Sequence, residues 1–187
     1  TRAMRESYKN KAIQFTLWMI LLMYPPISRR VLEYFGCSDS IDGVNYLTKD
    51  YRLECFNGTW NQWLPLAFLA VIVYPFGMPT LFSFKLWQNR SRLGSPRVSN
   101  RYGFLYEQYR PEVYWWDIFE LLRKLFLTGI IVLIAPGQVF QVIVVAMANL
   151  AFLVILLIER PHLEGPERNL AALSYIAISF TMFMGLI

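Results

Sequence analysis

The sequence contains little of what catalysis or metal binding usually requires. It has one His and two Cys among 187 residues, and only 17% of its residues are charged. We find no phosphate-binding loop, no dinucleotide-binding glycine motif and no zinc-ligand spacing. No Ser or Cys nucleophile is tied to His162 by spacing, and Asp39, Asp42 and Asp50 lack EF-hand spacing. These absences predict a protein that is not an enzyme and that binds no metal ion or cofactor.

The chain is rich in apolar residues. Hydrophobic residues make up 56% of the chain and the mean hydropathy is +0.35, whereas soluble domains are about 45–50% apolar and about 25% charged. Aromatic residues reach 17%, with 6 Trp, as expected where rings collect at the two membrane interfaces. The composition predicts an all-α, polytopic membrane protein and argues against a soluble domain.

Five apolar runs are long enough to cross a hydrocarbon core about 30 Å thick, which needs about 20 helical residues. The predicted spans are residues 12–35, 60–87, 113–135, 138–158 and 170–187. Ala135-Pro136-Gly137 predicts a tight hairpin that makes the third and fourth spans antiparallel neighbours. We predict a single transmembrane domain over residues 1–187, and we expect it to be a segment of a longer chain because it starts without Met and stops inside an apolar run.

Basic residues set the predicted orientation. The segments 1–11 and 85–110 are rich in Lys and Arg, and the positive-inside rule places both in the cytoplasm. The residues that we expect to contact anionic lipid headgroups are Lys85, Arg90, Arg92, Arg97 and Arg101. Residues 94–100 predict a flexible tether, and residues 102–109 predict a short amphipathic element in the membrane interface. The net charge of +5 therefore reflects topology, and we infer no binding of nucleic acid from it.

The loop over residues 36–59 then faces outward, and both cysteines lie in it. Since that side is oxidising, we predict a disulfide between Cys37 and Cys55, the alternative being two unpaired small apolar side chains. Closing such a loop is worth about 3 kcal/mol in the chain-entropy model. Asn57-Gly58-Thr59 is also an N-glycosylation sequon on the side where glycans are added, so Asn57 is a candidate glycosylation site.

Several motifs in a fixed order resemble one family. The motifs are Phe35-Gly36-Cys37, Asp42-Gly43, Tyr46-Leu47, Asp50, Cys55, Tyr74-Pro75-Phe76-Gly77-Met78-Pro79, Tyr102-Gly103-Phe104-Leu105-Tyr106, Tyr109-Arg110-Pro111-Glu112 and Tyr114-Trp115-Trp116. Over nearly its whole length the chain resembles the C-terminal membrane region of large protist and algal proteins whose outward portions are Cys-rich, ephrin-receptor-like repeats. Such regions are similar to transient-receptor-potential-like or polycystin-like modules.

The resemblance implies several properties that the residues alone do not give. It implies an integral protein of the plasma or ciliary membrane that transports ions. It also implies a homo-oligomer or a subunit of a larger membrane complex, in contact with membrane lipids, with a Cys-rich extracellular region in the same chain.

The third span carries ionisable residues, which are costly inside a membrane. On a helix, Asp117, Glu120 and Lys124 lie near one face with Thr128 one turn further, and Glu120 and Lys124 have the favourable order for an i,i+4 pair. Together with Arg123 they form a predicted intramembrane polar cluster that lines an ion or proton route. In the alternative interpretation, Arg123 and Lys124 extend back to the cytoplasmic headgroups and the acids pair with them.

Prolines interrupt the first two spans. Pro25 and Pro26 lie in the first span, and Pro75, Gly77 and Pro79 lie in the second. Each proline removes a backbone hydrogen bond and bends its helix. The bends are candidate hinges for gating, or they shape helix packing. Polar residues of the last two spans are predicted to hydrogen-bond between helices, and they are Gln138, Gln141, Asn149, Asn169, Ser174, Ser179 and Thr181.

Two functions of different class are consistent with the sequence. The first is a channel-like module in which the face of Asp117, Glu120 and Lys124 lines a path for cations. The second is a membrane anchor or accessory subunit that conducts nothing and whose charges are all paired. About five helices are too few to enclose a pore, so conduction requires oligomerisation or further helices.

Overall fold

The computed structural model describes residues 2–38, 43–129, 133, 139–163 and 165–184, without the side chains of residues 2–7 and 97. Asp39, Asp42, the turn Ala135-Pro136-Gly137, Gln138 and residues 185–187 lie outside this part, so the predictions that involve them stay predictions. The described part is helical apart from one small β-hairpin. This arrangement confirms the all-α fold class.

The elements follow one another in a simple order. The helices are α1 (Arg2–Glu33), α2 (Gly58–Val71), α3 (Gly77–Asn89), α4 (Pro96–Tyr102), α5 (Trp116–Thr128), α6 (Val139–Glu159) and α7 (Gly165–Met184). A π-helical turn covers Ile72–Phe76, and 3-10 turns cover Arg90–Arg92, Gly103–Leu105 and Pro111–Val113. Strands β1 (Tyr46–Leu47) and β2 (Asp50–Glu54) pair in antiparallel fashion in the loop after α1.

Two of the described helices are long and apolar enough to cross a membrane. They are Gly58–Arg92, which contains α2 and α3, and Val139–Glu159, which is α6. Only 11% and 17% of their most apolar windows are buried, whereas the core helix of a soluble protein would be mostly buried. Apolar side chains that are exposed over most of a helix surface are those of a helix that largely faces lipid.

The first, third and fifth predicted spans do not meet the length and hydropathy expected of a membrane-spanning helix in the described part of the chain. The described part of the third span is the 13-residue helix α5, which is about 20 Å long and begins at Trp116 instead of residue 113. Helices α1 and α7 have sufficient length, with 32 and 20 residues, but not the apolar content of α6. The count of five spans therefore stays a prediction.

Helix α5 lies at the centre of the bundle. One hydrophobic cluster joins α5 to α1 and α3 through Tyr24, Leu86 and Leu121, and includes Leu105 from the connection before α5. A second cluster joins the other side of α5 to α6 and α7 through residues that include Trp116, Leu156 and Tyr175. Trp116 and Leu156 are fully buried, so α5 holds together two groups of helices.

The predicted proline bends take a specific form. Helix α1 continues through Pro25 and Pro26, while the second span forms the π-helical turn that contains Pro75. Because Pro79 has no N–H, the carbonyl of Pro75 lacks its α-helical donor four residues later. The Tyr24 hydroxyl of α1 donates to that carbonyl at 2.6 Å in a buried hydrogen bond, and this bond joins α1 to the π-helical turn.

Gly77 follows the same turn and allows a close approach of the backbone. A Cβ atom at Gly77 would lie 3.0 Å from the carbonyl oxygen of Ile72, which is tighter than an ordinary contact. The geometry around Pro75, Gly77 and Pro79 thus favours the packing interpretation, and a gating hinge stays a prediction.

The described part of the loop after α1, which was predicted to face outward, is folded and closed by a disulfide. Cys37 and Cys55 are bonded across a separation of 18 residues, as predicted, and Cys55 is buried. Phe56 follows with a positive φ of 62°, an uncommon conformation for a residue with a side chain. Asn57 is the N-cap of α2, and its Oδ1 atom accepts a hydrogen bond from the Trp60 backbone N–H at 2.7 Å. Its glycosylation stays a prediction.

Replacing both cysteines by serine, Cys37→Ser with Cys55→Ser, should destabilise the folded bundle by about 3 kcal/mol, because the disulfide restricts the unfolded chain. The measurement is the free energy of unfolding by denaturant in detergent micelles. Reducing agent should lower the stability of the unmodified protein and leave the variant unchanged. Equal stability of the two proteins would contradict a stabilising disulfide.

Candidate functional site

The ionisable residues of α5 were predicted to lie near one face of the helix. In the structure they are divided between two faces. Glu120 and Arg123 point toward α7, whereas Asp117 and Lys124 line a groove beside α1. The second set is spaced by seven residues, which is two helical turns and returns to the same side of a helix. The two faces have different surroundings.

On the inner face, Arg123 and Glu120 form a salt bridge. The Nη2 and Nε atoms of Arg123 donate to Oε2 of Glu120 at 2.8 and 3.0 Å. Arg123 is only 8% exposed, and its guanidinium carbon lies 4.2 Å from the centroid of the Tyr175 ring. The Tyr175 hydroxyl donates to the other carboxylate oxygen, Oε1. Oε2 of Glu120 and the π face of Tyr175 thus contact the Arg123 guanidinium, while Oε1 of Glu120 is bound by the Tyr175 hydroxyl.

The hydrogen bonds continue from Tyr175 into α6. Asn149 is fully buried, and its Nδ2 atom donates to the carbonyl of Tyr175 and to the hydroxyl of Ser179, both at 2.8 Å. The polar network, which we define as Glu120, Arg123, Asn149, Tyr175 and Ser179, therefore connects α5, α6 and α7. Hydrogen bonding between helices by Asn149 and Ser179 was the expected use of these residues.

Two predictions about the inner face need correction. Glu120 pairs with Arg123 and not with Lys124, because its side chain points to α7. Arg123 does not reach headgroups, since it is buried against Tyr175. The Thr128 hydroxyl donates to the carbonyl of Lys124 in its own helix at 2.6 Å, and its place in the predicted polar cluster stays a prediction.

The outer face of α5 borders a groove of about 600 Å³. Its lining residues are Trp18, Leu21, Leu22 and Pro25 from α1, Phe104 and Gln108 from the connection before α5, and Asp117, Leu121 and Lys124 from α5. The Tyr109 hydroxyl donates to Oδ1 of Asp117 at 3.3 Å, which is a long hydrogen bond. In this groove α5 therefore presents one carboxylate and one ammonium group together.

The connection before α5, predicted to be a short amphipathic element in the membrane interface, has one buried side, while Glu107 and Gln108 are exposed. Its position in the interface stays a prediction. Leu105 is fully buried and Tyr106 and Tyr109 are nearly so. The Tyr106 hydroxyl donates to the carbonyl of Leu93 at 2.7 Å. The predicted tether is also ordered, since it contains helix α4.

A contact that the sequence did not predict joins this connection to the loop between α6 and α7. Tyr109 and His162 form an antiparallel β-bridge, and their rings meet edge to face at 5.2 Å. The backbone N–H of Arg110 donates to the carbonyl of Pro161 at 2.8 Å, and Arg110 Nη2 donates to the carbonyl of Glu159 at 2.6 Å. This latch, formed by residues 108–110 and 159–163, fixes α5 relative to α6 and α7.

Burial sets the protonation of the latch. It lowers the pKa of His162 below its ordinary value of 6.5, although the charge of Glu167 acts in the opposite direction. Burial also raises the pKa of Tyr109 far above its usual range. At neutral pH, His162 is therefore uncharged and Tyr109 is a hydrogen-bond donor.

The residues predicted to contact headgroups have different surroundings. Lys85, Arg90 and Arg92 are exposed, and the guanidinium carbon of Arg90 lies 5.4 Å from the Trp87 ring centroid. Arg101 is half-buried and its Nε atom donates to Oδ1 of Asn10 at 2.9 Å. The side chain of Arg97 is outside the described part. Lipid contact by these residues stays a prediction.

Comparison of the sequence with known protein families gives one match. The family model for the transient receptor potential (TRP) ion channel matches residues 3–187. The chain belongs to the TRP ion channel family. No curated protein and no solved structure matches it. The match spans nearly the whole chain, which confirms the resemblance to TRP-like membrane modules.

Membership of the TRP family narrows the functional classes. A family of ion channels agrees with the predicted membrane location and with ion transport, and it is not a family of enzymes. The family match names no residue, so the roles of Asp117, Glu120, Arg123 and Lys124 rest on the geometry above. Among the described residues, no group of three or more His, Cys, Asp or Glu side chains could hold a metal ion.

Removing the Arg123 charge should destabilise the folded protein, because the polar network loses its cation. We expect Arg123→Met to lower the free energy of unfolding by about 3–5 kcal/mol, because Glu120 is left buried without its partner. Adding Glu120→Gln to Arg123→Met should restore part of the loss. The control is Lys9→Met, which removes an exposed charge and should change stability by about 0.5 kcal/mol or less. Additive losses in the double variant would contradict the coupling.

The latch should weaken in acid. Because the folded protein holds His162 at a lowered pKa, the unfolded chain binds the proton more tightly. Stability contributed by this group is fully present above pH 6.5, its unfolded value, and is lost as pH falls through the folded pKa. The measurement is the unfolding midpoint between about pH 5 and pH 8. His162→Gln should flatten this part of the profile, and an unchanged profile would contradict the assignment.

Proposed function

We propose that this chain is a helix-bundle module of a cation channel and that it lies beside the conducting pathway. The observation that carries the proposal is the buried pair of Arg123 and Glu120. Their charges are used inside the protein by Tyr175 and by each other. Groups so enclosed are unavailable to passing ions, and their role is to hold α5 against α6 and α7.

The packing of the bundle supports the same conclusion. Two hydrophobic clusters pack between its helices, and large apolar side chains cover the outer faces of α2, α3, α6 and α7. An ion pathway would then form between copies of this chain or between it and other helices of a complex. This requirement supports a homo-oligomer or a subunit of a larger membrane assembly.

The contacts between connecting segments support five crossings with the N-terminal end in the cytoplasm. Arg101 bonds to Asn10 of α1, and the latch joins Tyr109 to His162. All these residues lie in segments assigned to the cytoplasm. At the other end, a Cβ atom at Gly129 would lie 2.6 Å from Leu32, so the outward ends of α5 and α1 are also adjacent. Helices that cross the membrane alternately would give this pattern.

The resemblance to the large protist and algal proteins supports further details of the proposal. These are a plasma or ciliary membrane location and a Cys-rich extracellular region in the same chain, attached on the side of the disulfide-closed loop. Asn57 lies on that side and could carry a glycan there.

A second candidate function is a membrane anchor or accessory subunit that does not conduct. The observation that favours it is the same internal pairing of charge, because an anchor needs its polar groups satisfied and its outer faces apolar. The two candidates differ in whether the assembled protein passes ions.

Single-channel recording of the full-length protein in planar bilayers separates these functions. We expect discrete cation-selective currents. In Glu120→Gln the single-channel conductance and selectivity should be unchanged, because Glu120 does not face the ions. The open probability should change, because the contact between α5 and α7 is weakened.

The remaining outcomes of the recording are also decisive. A loss of cation selectivity in Glu120→Gln would contradict the proposal and make Glu120 part of the pore lining. Silent bilayers with a folded, disulfide-linked protein would support the anchor instead. The control is Glu112→Gln, which removes an exposed carboxylate outside the polar network.

A further inference from the structure

We propose that the groove between α1 and α5 binds one phospholipid whose headgroup carries an ammonium group, such as phosphatidylcholine or phosphatidylethanolamine. The proposal depends on the orientation given under the proposed function, but not on conduction. The groove volume of about 600 Å³ lies within the range of about 300–1,000 Å³ that is typical of ligand sites. Its walls combine apolar side chains with a small number of polar groups, as such sites do.

The two charged groups of the groove are complementary to a zwitterion. Neither Asp117 nor Lys124 is in a salt bridge among the described residues. They are seven residues apart on α5, a rise of about 10 Å. Since side chains on a helix lean toward its N-terminus, Lys124 extends back toward Asp117. The groove therefore offers a cation and an anion that a ligand with both charges can bridge.

The order of these charges matches a lipid of the cytoplasmic leaflet. In the proposed orientation α5 enters from the cytoplasm, so the Asp117 carboxylate is nearer the water and Lys124 lies deeper. A phospholipid in that leaflet presents its ammonium group nearest the water, then its phosphate and then its acyl chains. Asp117 would contact the ammonium group and Lys124 the phosphate, while the chains extend along Leu21, Leu22 and Pro25 of α1.

Aromatic residues strengthen the ammonium end of the site. Trp18 and Phe104 line the groove together with Asp117, and aromatic faces attract ammonium groups. The same two residues also line an adjoining cavity of about 240 Å³ together with Lys11, Gln14 and Phe15. This cavity extends the groove toward the cytoplasmic end of α1, which gives the headgroup a route to water.

Native mass spectrometry of the purified protein, reconstituted with phosphatidylcholine, phosphatidylethanolamine and phosphatidylglycerol, tests the proposal. We expect one retained lipid per chain, with a preference for the two headgroups that carry an ammonium group. Lys124→Gln should reduce retention of every phospholipid by about tenfold, whereas Lys124→Arg should retain it. Asp117→Asn should abolish the preference over phosphatidylglycerol without abolishing lipid binding, because the phosphate contact remains.

Matched variants identify effects that are not specific to the groove. Lys9→Gln and Glu112→Gln make the same charge changes at exposed positions and should retain lipid like the unmodified protein. Preferential retention of phosphatidylglycerol, or equal retention by Lys124→Gln and the controls, would overturn the proposal. Lipid-free oligomers whose groove is closed by a second copy would also overturn it. Lipid retention by a protein that is silent in bilayers would leave this site in place and remove only the channel function.

Discussion

Arg123 is a permanently charged group that the structure keeps away from water, and the packing of α5, α6 and α7 depends on how this charge is satisfied. Glu120 supplies the opposite charge, and the Tyr175 ring covers the guanidinium. Asn149 donates to the carbonyl of Tyr175 and to the hydroxyl of Ser179, and these bonds tie the backbone of Tyr175 to α6. A buried ion pair is a weak source of stability by itself, but it strongly penalises any arrangement in which a member is missing. The pair therefore specifies how the helices pack.

The requirement that a buried polar group has a partner also explains the contact between α1 and the second span. Pro79 withdraws a backbone donor in a helix that has mostly apolar surroundings, and an unpaired carbonyl there would be costly. Tyr24 supplies the missing donor from α1. A local defect of one helix thus becomes a specific contact between two helices, so the prolines of this chain contribute to packing as well as to shape.

The sequence was sufficient for the features that depend on composition or on short spacing. Apolar runs indicated a helical membrane protein, and two cysteines in one outward loop indicated the disulfide. The pairing partner of Glu120 could not be predicted, because i+3 and i+4 positions are both within reach and Tyr175, 55 residues away, decides between them. The burial of Leu105, Tyr106 and Tyr109 and the bridge between Tyr109 and His162 also depend on contacts between distant segments, for which periodicity gives no signal.

Helix α5 carries two pairs of charged residues that lie on different faces of the helix. Glu120 and Arg123 are enclosed by other helices, so their charges act on the packing of the protein alone. Asp117 and Lys124 face a groove that reaches the surface, so their charges can act on something outside the chain. Trp116, Leu121 and Leu125 of the same helix are buried, so apolar packing holds α5 in place. Because both faces belong to one short rigid helix, a ligand that shifts α5 at the groove would also alter its contact with α7. A module beside a pore could influence it through such a shift without lining it.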